Sequence, residues 1–181
     1  MRALKEWATV VRALERGNQT VILRKGGILE TASGFRVEAR KFALFPTYEH
    51  QETASLKSQF YGYLAEAREG MPREGYNMVS SLAEVLDERD VSSASKLEDL
   101  SRFHIWSDQY VVERMNWMPS RPMKAVFLRV ESIPAVEVKV LPEYQGCKSW
   151  IELNVNSEAG KPALSDAELS AQLEDFRRIV G

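Results

Sequence analysis

The sequence predicts an α+β fold, with a mostly antiparallel sheet flanked by an N-terminal helix, a central helix and a C-terminal helix. Two observations lead there. β-branched or alternating runs at 20–25, 42–45, 125–130 and 136–140 are bounded by turn residues. Three stretches, at 3–16, 56–67 and 165–180, instead carry apolar residues at helical spacing. With no internal repeat or low-complexity tract in 181 residues, one domain spanning 1–181 is expected.

In chain order, Ala3, Leu4, Trp7, Val11 and Leu14 form one stripe and Arg2, Glu6, Arg12 and Glu15 its opposite, so 3–16 reads as a helix stopped by Gly17. Thr20, Val21, Ile22 and Leu23 read as a strand ending in a turn at Gly26 and Gly27. A second turn at Ser33 and Gly34 precedes the alternation of Phe35 and Val37 with Arg36 and Glu38, and three or four antiparallel strands fit this half. Leu56, Phe60, Tyr63, Leu64 and Ala67 mark the central helix, closed by Gly70 and Pro72.

Residues 76–86 lean to strand, and 87–90 read as a solvated loop. Ser95 with Glu98 suggests a capping box for a short helix, and Ser107 a cap for the next. Residues 125–130, apolar on both faces, predict a central strand. Val136, Val138 and Val140 predict its hairpin partner with one wet face. Another strand opens within 146–153, residues 154–163 form a polar connector, and Ser165 with Glu168 starts the last helix.

Composition narrows the function classes. The chain is 44% hydrophobic and 28% charged with a formal net charge of −2, which argues against a protein that coats nucleic acid or membranes by bulk charge. Charge is uneven, however: residues 1–50 hold nine basic and five acidic side chains. A single cysteine, Cys147, excludes an internal disulfide, and no signal-like or membrane-spanning apolar run is present, so a cytoplasmic protein without a membrane partner is expected. A homo-oligomer is compatible with the sequence.

The stretch that concentrates polar chemistry is 42–51. An apolar run stops at Pro46, and Thr47, Tyr48, Glu49, His50 and Gln51 then supply donors, acceptors and a group that titrates near neutrality. Basic and aromatic residues interleave elsewhere: Arg24, Lys25, Arg36, Arg40 and Lys41 in one half, His104, Trp106, Tyr110, Arg114 and Trp117 in the other. Cations hold phosphates and flat rings stack bases. The bland alternative is aromatic core and solvated strand faces.

Three blocks carry a family resemblance. They are Ala3, Leu4, Lys5, Glu6 and Trp7; then Leu23, Arg24, Lys25, Gly26, Gly27 and Ile28 leading to Leu44, Phe45, Pro46, Thr47 and Tyr48; and Tyr144, Gln145, Gly146, Cys147, Lys148, Ser149 and Trp150. In that order they resemble the bacterial domain-of-unknown-function family 1802 over nearly the whole chain. The resemblance implies a single domain and supplies no catalytic residues.

Other chemistries find weaker footing. His50, His104, Asp108 and Cys147 are metal-ligand types without zinc-site spacing, so no metal is expected. Glu137 and Lys139 on one strand face resemble part of a carboxylate-and-lysine nuclease, but the preceding strand offers Glu131 only at its exit. Cys147 beside Lys148 needs a nearby imidazole to act as a nucleophile. Lys25 before Gly26 and Gly27 lacks the rest of a phosphate loop, and no cofactor is expected.

The leading expectation is a module whose polar pocket accepts single-stranded nucleic acid or a nucleotide. Its ligand-binding set is Lys25, Thr47, Tyr48, His50, Gln51, His104, Trp106, Arg114 and Lys148, with Lys25 and Arg114 on phosphate and Tyr48 and Trp106 stacking. One alternative is a hydrolase or nuclease-like enzyme with His50 or His104 as general base, with or without a divalent ion. The other is a structural interaction protein.

Overall fold

The computed structural model describes residues 1–25, 34–155 and 160–181. Its strands are β1 (Arg2–Trp7), β2 (Val21–Arg24), β3 (Lys41–Thr47), β4 (Tyr76–Val91), β5 (Met123–Lys139), β6 (Trp150–Glu152) and β7 (Lys161–Pro162). The helices are α1 (Ala8–Glu15), α2 (Tyr61–Glu69), α3 (Ala94–Asp99), α4 (Asp108–Asn116) and α5 (Asp166–Val180). The class is α+β. The strands make one sheet in the order β2-β5-β4-β3-β1-β6 with β7 beside β5, and it is antiparallel except for the parallel pair of β1 with β3.

That parallel pair corrects the reading of 3–16 as one helix. Residues 2–7 are a strand, and the helix begins only at Ala8. Ala3 and Leu4 are both fully buried, on opposite faces, because β1 lies between Ala43 and Leu44 of β3 and Trp150 and Ile151 of β6. Tertiary pairing thus overrides a helical spacing that fits equally well on paper. α1 then buries Val10, Val11, Ala13 and Leu14. Gly17 turns the chain at φ +70°, a left-handed conformation that favours glycine.

The turn expected at Gly26 and Gly27 and its neighbour Ser33 lie outside the described residues. Residues 34–40 alternate in burial as predicted, yet they form no strand. Phe35 instead stacks on Trp150 with centroids 6.0 Å apart and planes 18° apart. The central helix is shorter than its apolar stripe: Leu56 pairs as a bridge with Trp106, 53–55 and 58–60 are 3₁₀ turns, and α2 starts at Tyr61.

β4 and β5 are longer than the sequence suggests. The expected loop at 87–90 belongs to β4, because its charges are paired: Arg177 Nε donates to Asp87 Oδ2 at 2.8 Å, Arg89 also bonds Asp87, and Lys124 meets Asp90 at 2.8 Å. The expected hairpin after residue 130 does not exist either. β5 runs on to Lys139, passing Ile133, Pro134 and Ala135 through a register shift against β4 between Val79 and Ser81. Proline is tolerated in a strand at such an irregularity because no ladder donor is required there.

Caps follow local chemistry. α3 is capped by Ser93 rather than Ser95, α4 by Ser107, and α5 by a reciprocal Ser165 and Glu168 box. β7 falls inside the expected connector, of which 156–159 lie outside the described residues.

The sheet is covered on both sides. On one, Phe103, Phe127 and Phe176 meet edge-on or tilted with centroids 5.4–6.5 Å apart, which docks α5 on the sheet. Burying each ring fully contributes about 1.5–3 kcal/mol. On the other, Ala3, Ala43, Phe45, Val79, Tyr144 and Ile151 form a smaller core. Among the described residues no helix is long and apolar enough to cross a membrane.

Candidate functional site

The parallel pairing sends the C-terminal ends of β1 and β3 out of the sheet together. Thr47 Oγ1 donates to the Glu6 carbonyl there at 3.2 Å, and the Lys5 amide donates to the Ser149 carbonyl at 2.8 Å. Arg24 closes β2, which stands at the opposite end of the strand order from β6. Its guanidinium nevertheless donates to Ser149 Oγ at 2.7 Å, Glu6 Oε2 at 3.2 Å and the Lys5 carbonyl at 3.4 Å. The sheet is therefore rolled until its two edges meet, and side chains close the seam. Trp150 Nε1 donates to the Arg36 carbonyl at 2.8 Å, and Arg24 lies 5.1 Å from the Phe35 ring centroid.

Charge accumulates around this seam. Glu6 is only 5% exposed and its carboxylate also accepts from the Trp7 amide at 2.9 Å, so it is committed to Arg24 and the backbone. The half-buried Lys5 ammonium donates to the carbonyls of Tyr144 and Gly146, each at 2.8 Å. Burial lowers its pKa, Glu49 and Cys147 pull it back up, and Arg24 and Lys148 push it further down.

Lys25 is buried with its ammonium bonded to the carbonyl of Met115, in the last turn of α4, where the helix dipole favours a cation. Its pKa is also lowered, by burial first and by Arg114 second. Tyr110 of α4 lies among these groups. Burial raises its pKa, Arg114 lowers it, Glu6 raises it and Arg24 lowers it. Five cations from separate parts of the chain thus gather at one place: Lys5, Arg24, Lys25, Arg114 and Lys148. Among the described residues only Arg24 of the five has an acidic partner within ion-pair distance.

Of the predicted ligand-binding residues, Lys25, Thr47, Arg114 and Lys148 border the seam, Lys148 being exposed. Tyr48 is half-buried; burial raises its pKa, Arg12 lowers it and Glu15 raises it. Gln51 is buried, and its Oε1 accepts from the Thr9 amide at 2.9 Å and the Thr9 hydroxyl at 2.6 Å, so it caps α1. His50 is exposed in a left-handed conformation, φ 58°. Trp106 is buried, stacked on Tyr110 at 4.3 Å and edge-on to Trp7 at 5.0 Å, so neighbouring rings occupy the surface a base would use.

His104 is 2% exposed, and neither ring nitrogen has a partner among the described residues. Burial, with the Lys57 ammonium second, lowers its pKa to about 3. Among the described residues no hydrogen bond or ion pair joins His50, His104, Arg114 and Lys148 to one another. None groups three potential metal ligands either. Glu137 is paired with Arg73 at 2.8 Å, and Glu131 accepts from the Gly160 amide at 3.3 Å; neither is turned to a shared ion. A cavity of about 10 Å³ between α1, β5 and α5, lined by Leu14, Gly17, Leu128 and Leu164, has room for no more than a water molecule.

Sequence reasoning overlooked Lys5, Glu6 and Ser149, and did not group Arg24 and Tyr110 with them. The signal was present: once 2–7 is a strand, Leu4 and Glu6 share a face, and a carboxylate aligned with a core leucine is a site candidate.

The comparisons with known proteins follow the same division between fold and function. No curated protein matches the chain. The crystal structure of ASCH from Zymomonas mobilis is similar at 14% identity with a TM-score of 0.41, over 78% of this chain and 88% of that one. A serine-to-alanine mutant of the same protein aligns at 14% identity with a TM-score of 0.40, over 78% of this chain and 89% of that one. A likeness at this level says nothing of activity. A family model is matched by residues 3–175, and the chain belongs to that family, the domain of unknown function DUF1802.

Proposed function

We propose that the chain binds a phosphate-bearing ligand, single-stranded nucleic acid or a nucleotide, at the seam closed by Arg24. The observation that carries this reading is the gathering of Lys5, Lys25, Arg114 and Lys148 with no acidic partner at ion-pair distance among the described residues, Glu49 acting on Lys5 only from beyond that distance. Like charges held together in partly buried positions cost stability in the free protein, and an anion placed among them recovers it. Because the chain as a whole carries −2, the excess is local rather than a general basic coat. The 47–51 loop borders the site through Glu49, leaving Thr47 and the exposed His50 as hydrogen-bonding groups for the ligand.

The histidine-base alternative gains nothing from the geometry, since His104 is sealed and neutral at physiological pH and His50 is exposed with no hydrogen-bond partner among the described residues.

The test is fluorescence anisotropy of labelled single-stranded RNA and DNA titrated with the protein at several salt concentrations. Binding is expected to weaken steeply with salt and to fall about tenfold or more with Arg114→Ala, since each lost phosphate contact also flattens the salt slope by about 0.7. Failure to bind either probe, or a mononucleotide, at low salt overturns the reading.

A further inference from the structure

The cations gathered at the seam fall into two pairs on either side of Arg24, which bonds Ser149 beside Lys148, whereas Lys25 bonds Met115. Lys5 belongs to β1 on the face it shares with Ala3, and its ammonium is held by the Tyr144 and Gly146 carbonyls; Lys148 lies on the same 144–149 loop and acts on it directly. Lys25 is held by the Met115 carbonyl on α4, and Arg114 of that helix is the cation that acts on it. Between the pairs stands the bridge of Arg24 to Glu6 and Ser149, with one carboxylate that is buried and committed. A single phosphate centred on this bridge would face the Glu6 carboxylate. Phosphates on either side of it would each meet two cations instead, with Glu49 the opposing charge on the Lys5 side. Tyr110, half-buried and stacked on Trp106 at 4.3 Å, is acted on by Arg114, Glu6 and Arg24.

Resting on the phosphate-ligand reading above, we propose that the ligand is a single-stranded polynucleotide bound through successive phosphates rather than a mononucleotide. One phosphate lies on Lys25 and Arg114 and another on Lys5 and Lys148, with the sugar and base between them. The strand crosses the seam from α4 to the 144–149 loop. Arg114 and Lys148, the more accessible member of each pair, make direct contact, and Lys25 and Lys5 supply field from behind.

The two ends of the site can be separated experimentally. A fluorescein-labelled single-stranded octanucleotide, as RNA and as DNA, is competed with a nucleoside monophosphate and with an unlabelled trinucleotide carrying two internucleotide phosphates. The trinucleotide is expected to displace the probe at a concentration at least tenfold below that of the monophosphate. Lys148→Ala and Arg114→Ala are each expected to weaken octanucleotide binding several-fold and to reduce the salt slope by about 0.7.

Equal competition by the monophosphate overturns the two-phosphate inference while leaving the phosphate-ligand reading intact. So does octanucleotide affinity unchanged by Lys148→Ala, a substitution at an exposed position that does not threaten the fold. Absence of binding by every probe overturns both.

Discussion

Burial without a partner makes His104 a destabilising group in acid. Its folded pKa of about 3 lies below the unfolded value near 6.5, so between those limits the unfolded chain binds the extra proton. Stability tied to the neutral ring is complete above about pH 6.5 and is lost as pH falls, at roughly 1.4 kcal/mol per unit, until the folded ring itself titrates. Urea unfolding of the wild type at pH 7, 6, 5 and 4 is expected to show this slope, and His104→Phe to remove most of it. Identical slopes in the two proteins would contradict a sealed imidazole. The residue also shows what sequence leaves unsaid: a histidine beside Phe103 and Trp106 is compatible with a ligand-facing group or a core one, and only packing decides.

At the scale of elements, Gln51 and Ser165 perform the same task by different routes. Ser165 caps α5 from the adjacent chain position, a device legible in the sequence because its partner Glu168 is three residues on. Gln51 caps α1 from 42 residues away, and no local pattern announces it. Ser165→Ala is expected to cost about 1 kcal/mol. Gln51→Ala leaves two buried Thr9 donors without an acceptor and is expected to cost about 1–3 kcal/mol. Denaturant midpoints of the two variants check both. A Gln51 variant of unchanged stability that loses oligonucleotide binding would return the residue to the ligand.

The strands divide in the same way. Residues 42–45 and 125–128 are continuously apolar, which is what strands covered on both faces look like, and they were readable. Residues 3–7 were not, because the spacing of Leu4, Trp7, Val11 and Leu14 is helical and only the partners β3 and β6 make a strand of its first half. The continuation of β5 past Pro134 was hidden for a related reason, since proline reads as a terminator unless the register shift opposite it is known. The candidate site suffered most. Lys5, Arg24, Lys25, Arg114 and Ser149 are brought together by the roll of the sheet, a property of no single stretch.

For the molecule as a whole, the roll sets a gradient of stability. β4 and β5 are paired along most of their lengths, whereas among the described residues the β2 and β6 edges are joined by side-chain bonds such as Arg24 to Ser149. Amide hydrogen exchange is expected to be slowest in the middle of β4 and β5 and markedly faster in β2 and β6. On the proposed binding mode, a single-stranded octanucleotide is expected to slow exchange selectively at the seam, because it would tie both edges to one ligand. Arg24→Ala, which leaves Glu6 buried without its cation, is expected to cost about 3–5 kcal/mol and to abolish that gradient by loosening the whole fold.

The placement of β1 has a consequence for how the protein is made. Ala3 pairs on one side with Ala43 and on the other with Ile151, so β1 is synthesised before either partner and is completed only when β6 has been made. At 5–20 residues per second, roughly 5–20 seconds pass between synthesis of those two partners. Through that interval one side of β1 presents unpaired backbone, the feature by which nascent chains adhere to one another. Holdase chaperones are therefore expected to engage β1 during translation until β6 has been made.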